Sequence, residues 1–269
     1  MAKLKEALDS LSDKRILHIV SLSGGKDSAA LAIYMRQVYP QIPVEYVFCD
    51  TGCELPETYE YLERLEALLG AKILRVNALD LIGVKKKPNR TPFDIYLKEL
   101  YGGFLPSPRS RWCTRDLKII PFEAYVGKQE AFSYIGIRGD EDRVGYIAKK
   151  PPVISKRPNI LPVYPFKDDN IGLYDVKRIL VESGLGLPKY YEWRSRSGCY
   201  FCFYQQIGEW QGLKEKYPDK FEEAKKYEKF ENGKRYTWVE GRSLDEVARL
   251  PKRGIIPVDE AEGCAICHL

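Results

Sequence analysis

Ser23-Gly24-Gly25-Lys26-Asp27-Ser28 stands between the apolar run 16–22 and the helix-forming stretch 29–35. A strand, a small donor-rich turn and a helix in that order make a place for nucleotide phosphate. Gly24 and Gly25 carry no Cβ, so their amides can approach an anion, and the helix that follows adds its unpaired N–H groups and positive end. Lys26 supplies a full charge, Ser23 and Ser28 supply hydroxyl donors, Ser21 stands just before them, and Asp27 can hold a metal ion or orient the turn. Two glycines alone fit a turn capped by Ser or Asp; all six residues in a strand-to-helix setting point to phosphate. The Walker spacing is absent, because Gly24 is followed at once by Gly25-Lys26-Asp27.

Working outward, the periodicity predicts strands over 16–22, 44–49, 72–76 and 132–137, and helices over 27–38 and 56–69. This alternation predicts an α/β fold, a parallel sheet flanked by helices, with ligands at the carboxyl ends of its strands. Prolines clustered between Pro151 and Pro165 suggest a division into a nucleotide-binding domain, 1–150, and a mostly helical cysteine-bearing region, 151–269. Helices are expected there over 173–183, 213–230 and 243–250. The basic, Pro- and Gly-rich segment 83–115 reads either as a solvated loop or as a segment that meets phosphate groups or a polyanionic substrate.

The 269 residues, 44% hydrophobic, can bury a substantial core. No run of eighteen apolar residues occurs and the first ten residues are charged throughout, so neither a membrane span nor a signal peptide is expected. A net charge of +5 leaves nucleic-acid binding undecided. The seven cysteines, Cys49, Cys53, Cys113, Cys199, Cys202, Cys264 and Cys267, are spread too unevenly for a small disulfide scaffold. A cytoplasmic location follows as the default, where paired cysteines read as metal ligands or redox groups.

The turn resembles the PP-loop, S-G-G-x-D-S, of ATP pyrophosphatases, which implies cleavage of ATP between its α- and β-phosphates. Asp50-Thr51-Gly52-Cys53-Glu54-Leu55-Pro56-Glu57-Thr58 resembles the D-T-G-x-x-x-P-E-T stretch of the phosphoadenosine-phosphosulfate (PAPS) reductase branch. Gly136-Ile137-Arg138 and Arg143 resemble that family's G-x-R-x-x-E-x-x-R element. The resemblance runs from about Ser21 to Cys202 and implies an adenine nucleotide alpha-hydrolase-like, Rossmann-like fold. It implies ATP held by Ser21, Ser23, Gly24, Gly25, Lys26, Asp27, Ser28, Asp50, Thr51, Gly52, Gly136, Arg138 and Arg143. Lys26, Asp27, Asp50 and Arg138 are the catalytic candidates. Asp50 either positions a Mg²⁺ carried by ATP or closes an Asx turn; the two arginines can clamp departing pyrophosphate.

Arg111-Trp112-Cys113-Thr114 followed by Lys118-Ile119-Ile120-Pro121, together with Gly198-Cys199-Tyr200-Phe201-Cys202, resembles the cysteine strings of sulfonucleotide reductases. Those that hold an iron–sulfur cluster use two adjacent cysteines at the first place, where Trp112 stands here. Cys113, Cys199 and Cys202 supply three candidate ligands, and Cys264 and Cys267 offer the fourth. Four thiolates suit a four-iron four-sulfur cluster or Zn²⁺, and C-x-x-C alone suits thiol redox use. The resemblance favours the cluster.

The stretch 188–210, with Arg194 and Arg196 among aromatic residues, resembles the ATP pyrophosphatases of DNA phosphorothioation (DndC/SspD type). That implies adenylylation of a phosphate or other oxygen for sulfur incorporation, with a cysteine desulfurase as sulfur donor and DNA or DNA-modifying proteins as partners. A homodimer is compatible with this reading. A PAPS or APS reductase, a tRNA thiolation enzyme and a non-catalytic nucleotide-binding module stay open.

Overall fold

The computed structural model describes residues 2–83, 90–141 and 157–256. Its centre is a five-stranded sheet of β1 (Leu17–Leu22), β2 (Val44–Cys49), β3 (Ile73–Val76), β4 (Ala131–Tyr134) and β5 (Ile160–Val163). The spatial order is β3-β2-β1-β4-β5, and each neighbouring pair is parallel. Successive residues of a strand face opposite ways, so the runs that read as continuously apolar feed two cores. Val20, Leu22, Tyr46, Phe48 and Tyr134 pack with α1 (Ala2–Asp9), α2 (Lys26–Val38), α3 (Pro56–Leu69) and the helix Leu173–Glu182. Ile19, Val47, Cys49 and Ala131 pack with the helix Ile120–Val126. His18 belongs to this interior: its Nδ1 lies 2.9 Å from the Tyr134 hydroxyl, its ring stacks on Phe132, and burial lowers its pKa, so it is a neutral core residue.

The chain leaves β1 for β2 on one side, whereas β4 lies on the other. Ligands of open parallel sheets bind at such a switch point, outside the carboxyl ends of the strands. Here those ends carry the loops that follow β1, β2 and β4, the three segments singled out by the sequence.

Two expectations change. The strand expected over 132–137 ends at Tyr134, because Ile137 turns back to donate its amide to the carbonyl of Ile135. β5, in the part of the chain after residue 150, is an edge strand of the same sheet. The helix expected over 213–230 is three elements: helices Ile207–Lys216 and Pro218–Lys225, then a hairpin, Lys229–Glu231 with Lys234–Tyr236. Pro218 cannot donate the amide that would continue the first helix. Asn232 and Gly233, both at positive φ (51° and 72°), close the hairpin as an Asn-Gly turn does.

A further core joins the segment after residue 90 to the segment after residue 190. Phe93, Trp112, Phe201, Trp210 and Trp238 meet there, with ring centres 4.3 Å apart for Phe93 and Phe201 and 5.0 Å for Phe201 and Trp238. The segment 90–115 therefore contributes buried aromatic residues as well as charge.

Cys49 is buried, its Sγ donates to the carbonyl of Lys118 at 3.4 Å, and burial pushes its thiol up to about 12. At pH 8 the native protein should alkylate at Cys49 roughly 10³-fold more slowly than an ordinary thiol, since only the thiolate reacts. Mass spectrometry after iodoacetamide treatment, native against unfolded, reads this directly. The raised pKa is a property of the folded state, so its contribution to stability is intact below about pH 8.5 and is withdrawn as pH climbs toward 12.

Candidate nucleotide and thiol site

The turn 23–28 joins β1 to α2, and its shape needs its glycines. Gly24 sits at φ 73°, where a Cβ would also come within 2.4 Å of the Thr58 methyl, and a Cβ on Gly25 would meet Ser197 Oγ at 2.8 Å. The hydroxyls knit the turn from within: the Ser23 amide donates to Ser28 Oγ (3.2 Å), the two hydroxyls lie 3.1 Å apart, and Ser28 Oγ donates to the carbonyl of Gly25 (3.2 Å). Gly25 is the N-cap of α2 and offers no side chain to cap its amides; the Gly25 amide instead donates to Ser23 Oγ at 3.3 Å. The positive end of this thirteen-residue helix points into the turn.

Lys26 and Asp27 are both buried, with Lys26 Nζ 3.4 Å from Asp27 Oδ2. Asp27 Oδ1 also accepts a 3.0 Å hydrogen bond from Arg138 Nη1, and a Cβ on Gly136 would meet the Asp27 carbonyl at 3.1 Å. The loop after β4 is therefore locked to the start of α2. Burial works against the charge on Arg138, but Asp27 together with Glu141 and Asp140 outweighs it and the guanidinium pKa is raised. Asp27 serves as the counter-charge between Lys26 and Arg138. Asp140 holds the other side of Arg138 at 3.0 Å from Nε.

At the end of β2, Asp50 Oδ1 accepts from the Gly52 amide and from the Tyr59 hydroxyl, both at 2.8 Å. This is the Asx turn foreseen as one of two uses for Asp50, and it occupies one carboxylate oxygen. Ser21 Oγ is buried and has no hydrogen-bond partner among the described residues. Arg143, Cys264 and Cys267 lie outside the described residues.

Sequence reasoning missed what covers the turn. Tyr190 Oη donates to the carbonyl of Gly24 (2.7 Å), the Lys26 amide donates to Tyr191 Oη (3.4 Å), and Ser197 Oγ donates to Ser23 Oγ (3.4 Å). Lys26 Nζ also lies 5.3 Å from the Tyr191 ring centre. Two residues beyond Ser197 comes Cys199, whose Sγ is 3.3 Å from Thr51 Oγ1 and 3.7 Å from Glu54 Oε1. Arg194 is 1% exposed and donates to the carbonyls of Gly198 (3.0 Å) and Cys199 (2.7 Å). It holds the thiol turn in place. Arg196 lies against the Tyr204 ring at 4.6 Å.

Cys113, Cys199 and Cys202 line one small cavity of about 50 Å³ with Thr51, Lys118 and Tyr204. Burial, and then the neighbouring Cys202, raises the Cys113 thiol to about 12; burial, and then Glu54, raises Cys199 well above its ordinary value. Lys118 opposes both shifts from a widened helical turn, Arg115–Ile119. A wall of three thiols suits a sulfur-seeking metal group. Among the described residues no three His, Cys, Asp or Glu side chains are arranged to hold a metal ion. The three thiols share one cavity wall but do not form a metal-ligand set among the described residues.

The model of the phosphoadenosine phosphosulfate reductase domain matches residues 17–212, most of the chain and every loop just described. The chain belongs to this family. An uncharacterized protein of Methanocaldococcus jannaschii is 28% identical over 220 residues, covering 80% of this chain and 40% of that protein. A phosphoadenosine 5'-phosphosulfate reductase of Alteromonas mediterranea is 46% identical over 59 residues, 22% of each chain. The chain spans half or less of the length of the curated relatives it matches first. Among solved structures, the PAPS reductase of Candida auris in its phosphate complex aligns with a TM-score of 0.49 at 14% identity, covering 73% of this chain and 85% of that one. The U34-tRNA thiolase NcsA of Methanococcus maripaludis, with its 4Fe-4S cluster, aligns with a TM-score of 0.45 at 17% identity, covering 82% and 73%. No described helix is long and apolar enough to cross a membrane.

Proposed function

We propose that the chain splits ATP to AMP and pyrophosphate, adenylylating an oxygen of its substrate so that sulfur can replace it. The observation that carries this reading is a single run of chain: Ser197 rests on the phosphate turn, and Cys199 and Cys202 follow within five residues to line the thiol cavity. Nucleotide phosphate and sulfur chemistry then share one wall. The triphosphate lies on the amides of Gly24 and Gly25 and on Lys26, with Mg²⁺ beside Asp50, and Ser21 Oγ gains the partner it lacks. A substrate oxygen attacks the α-phosphorus and the bond to the β-phosphate oxygen breaks. Pyrophosphate leaves toward Lys26 and Arg138, fixed positive charge being the main aid a protein gives such a transfer. Sulfide then displaces AMP. Cys113, Cys199 and Cys202 line this cavity without forming a ligand set in the described structure, and would have to draw together to hold a four-iron four-sulfur cluster, or Zn²⁺, which would supply a site for sulfur; the protein's own part is to keep three thiols and Lys118 at that wall.

The substrate favoured is a DNA phosphate, as in DNA phosphorothioation, with a cysteine desulfurase supplying the sulfide. A second reading, reduction of a sulfonucleotide to sulfite, is favoured by the Alteromonas mediterranea relative. The two separate cleanly in an anaerobic assay. ATP with DNA and sulfide should yield AMP, pyrophosphate and thiolated DNA. Sulfite from PAPS with a thiol reductant, and no pyrophosphate from ATP with DNA or tRNA, would replace the first reading by the second.

A further inference from the structure

The turn 51–53 has two sides. Thr51 lines the thiol cavity, whereas Gly52 lines a larger one of about 660 Å³; likewise Cys199 faces the first and Tyr200 the second. The larger cavity is basic. Arg90 and Lys98 stand on one wall, Lys220 and Lys226 on another. Arg90 is already paired with Glu99 at 2.7 Å. Lys98 and Lys226 make no ion pair among the described residues, and Lys220 rests on the Tyr200 ring at 4.6 Å without a carboxylate. The two acids of the lining are engaged: Asp94 accepts from the Tyr227 hydroxyl (2.8 Å) and from Thr91, and Glu223 accepts from the Tyr200 hydroxyl (3.0 Å). With Arg90 balanced by Glu99, the lysines Lys98, Lys220 and Lys226 face the carboxylates Asp94 and Glu223, and the wall keeps a surplus of positive charge.

We propose that this cavity is a second anion site, separate from the turn 23–28, that grips successive phosphates of a nucleic-acid strand. One phosphate would not span the cations. Lys220 and Lys226 are six residues apart on and just after the helix Pro218–Lys225, about 9 Å along its axis, and Lys98 and Arg90 face them from a different segment. Several charges at that spread suit a phosphodiester chain better than a single small anion. A strand seated here passes within one residue of both Thr51 and Cys199. The site stands whether or not ATP is split at the first turn.

The test is binding without ATP, by anisotropy of a labelled single-stranded oligonucleotide over a series of salt concentrations. The variant Lys98→Gln, Lys220→Gln, Lys226→Gln should bind about tenfold or more weakly at low salt. Its salt slope should fall by about 2, since each lost contact to a single strand removes about 0.7. A control with Lys72, Lys128 and Lys177 changed to Gln, all exposed elsewhere, should keep the parent slope. Thermal melting shows that both triples stay folded. Equal losses in the two triples, an unchanged slope in the first, or displacement of the strand by micromolar inorganic tripolyphosphate would overturn the assignment.

Discussion

Arg138→Met is expected to cut pyrophosphate release by roughly 10²–10³-fold, the cost of losing one placed donor to developing charge. It should also lower folding stability by about 3–5 kcal/mol. The second effect follows from burial. Arg138 is 5% and Asp27 7% exposed, and Nη1 and Oδ1 stand 3.0 Å apart. Removing the guanidinium takes away the closer of the two cations that Asp27 balances, leaving Lys26 at 3.4 Å, and breaking a buried pair from one side is costly. Because Asp27→Asn also takes the carboxylate away from buried Lys26, the double variant Asp27→Asn, Arg138→Met should regain only the part of the loss that belongs to the Asp27–Arg138 pair in urea titration, while pyrophosphate release stays low. If the double variant were as unstable as the single one, side-chain packing of Arg138 would be the cause. If either variant released pyrophosphate at the parent rate, the ion pair would have no part in the chemistry.

The site's frame was legible where local pattern and local chemistry coincide. The turn 23–28 announces itself because glycine at φ 73° and an uncapped helix start both have sequence signatures. β1 and β2 are legible because both faces of each strand are covered, which makes the apolar run continuous. β5 was not. Its Pro162 breaks the usual strand pattern, yet β5 is an edge strand of the sheet, where a missing amide is tolerated. Tyr190, Tyr191 and Ser197 were illegible for another reason. They act on the turn across some 165 to 174 residues of chain, and no periodicity reports such a contact. Arg194 shows the converse failure, since a cation among aromatic residues reads as a binding surface until its burial and its two carbonyl partners are known.

The cysteine trio makes a different demand, because its members are held by different means. Cys113 comes from a short helix, Trp112–Thr114, whose tryptophan is anchored in the aromatic core, while Cys199 and Cys202 hang from the turn that Arg194 clamps. Changing any one of the three to Ser is expected to reduce sulfur incorporation by at least roughly 10–100-fold, the loss already seen when a group that only orients a metal ligand is removed. ATP splitting should stay within about threefold of the parent, since none of the three thiols lies in the turn 23–28 or in the Asp27–Arg138 pair. Groups that act as a unit fail together, so the triple variant should be little worse than each single one. Measured iron, zinc and sulfide per chain should fall in parallel in all three single variants. Losses that add from one variant to the next, or a loss confined to Cys199, would mean that one thiol acts alone as a nucleophile and that the other two only line its cavity.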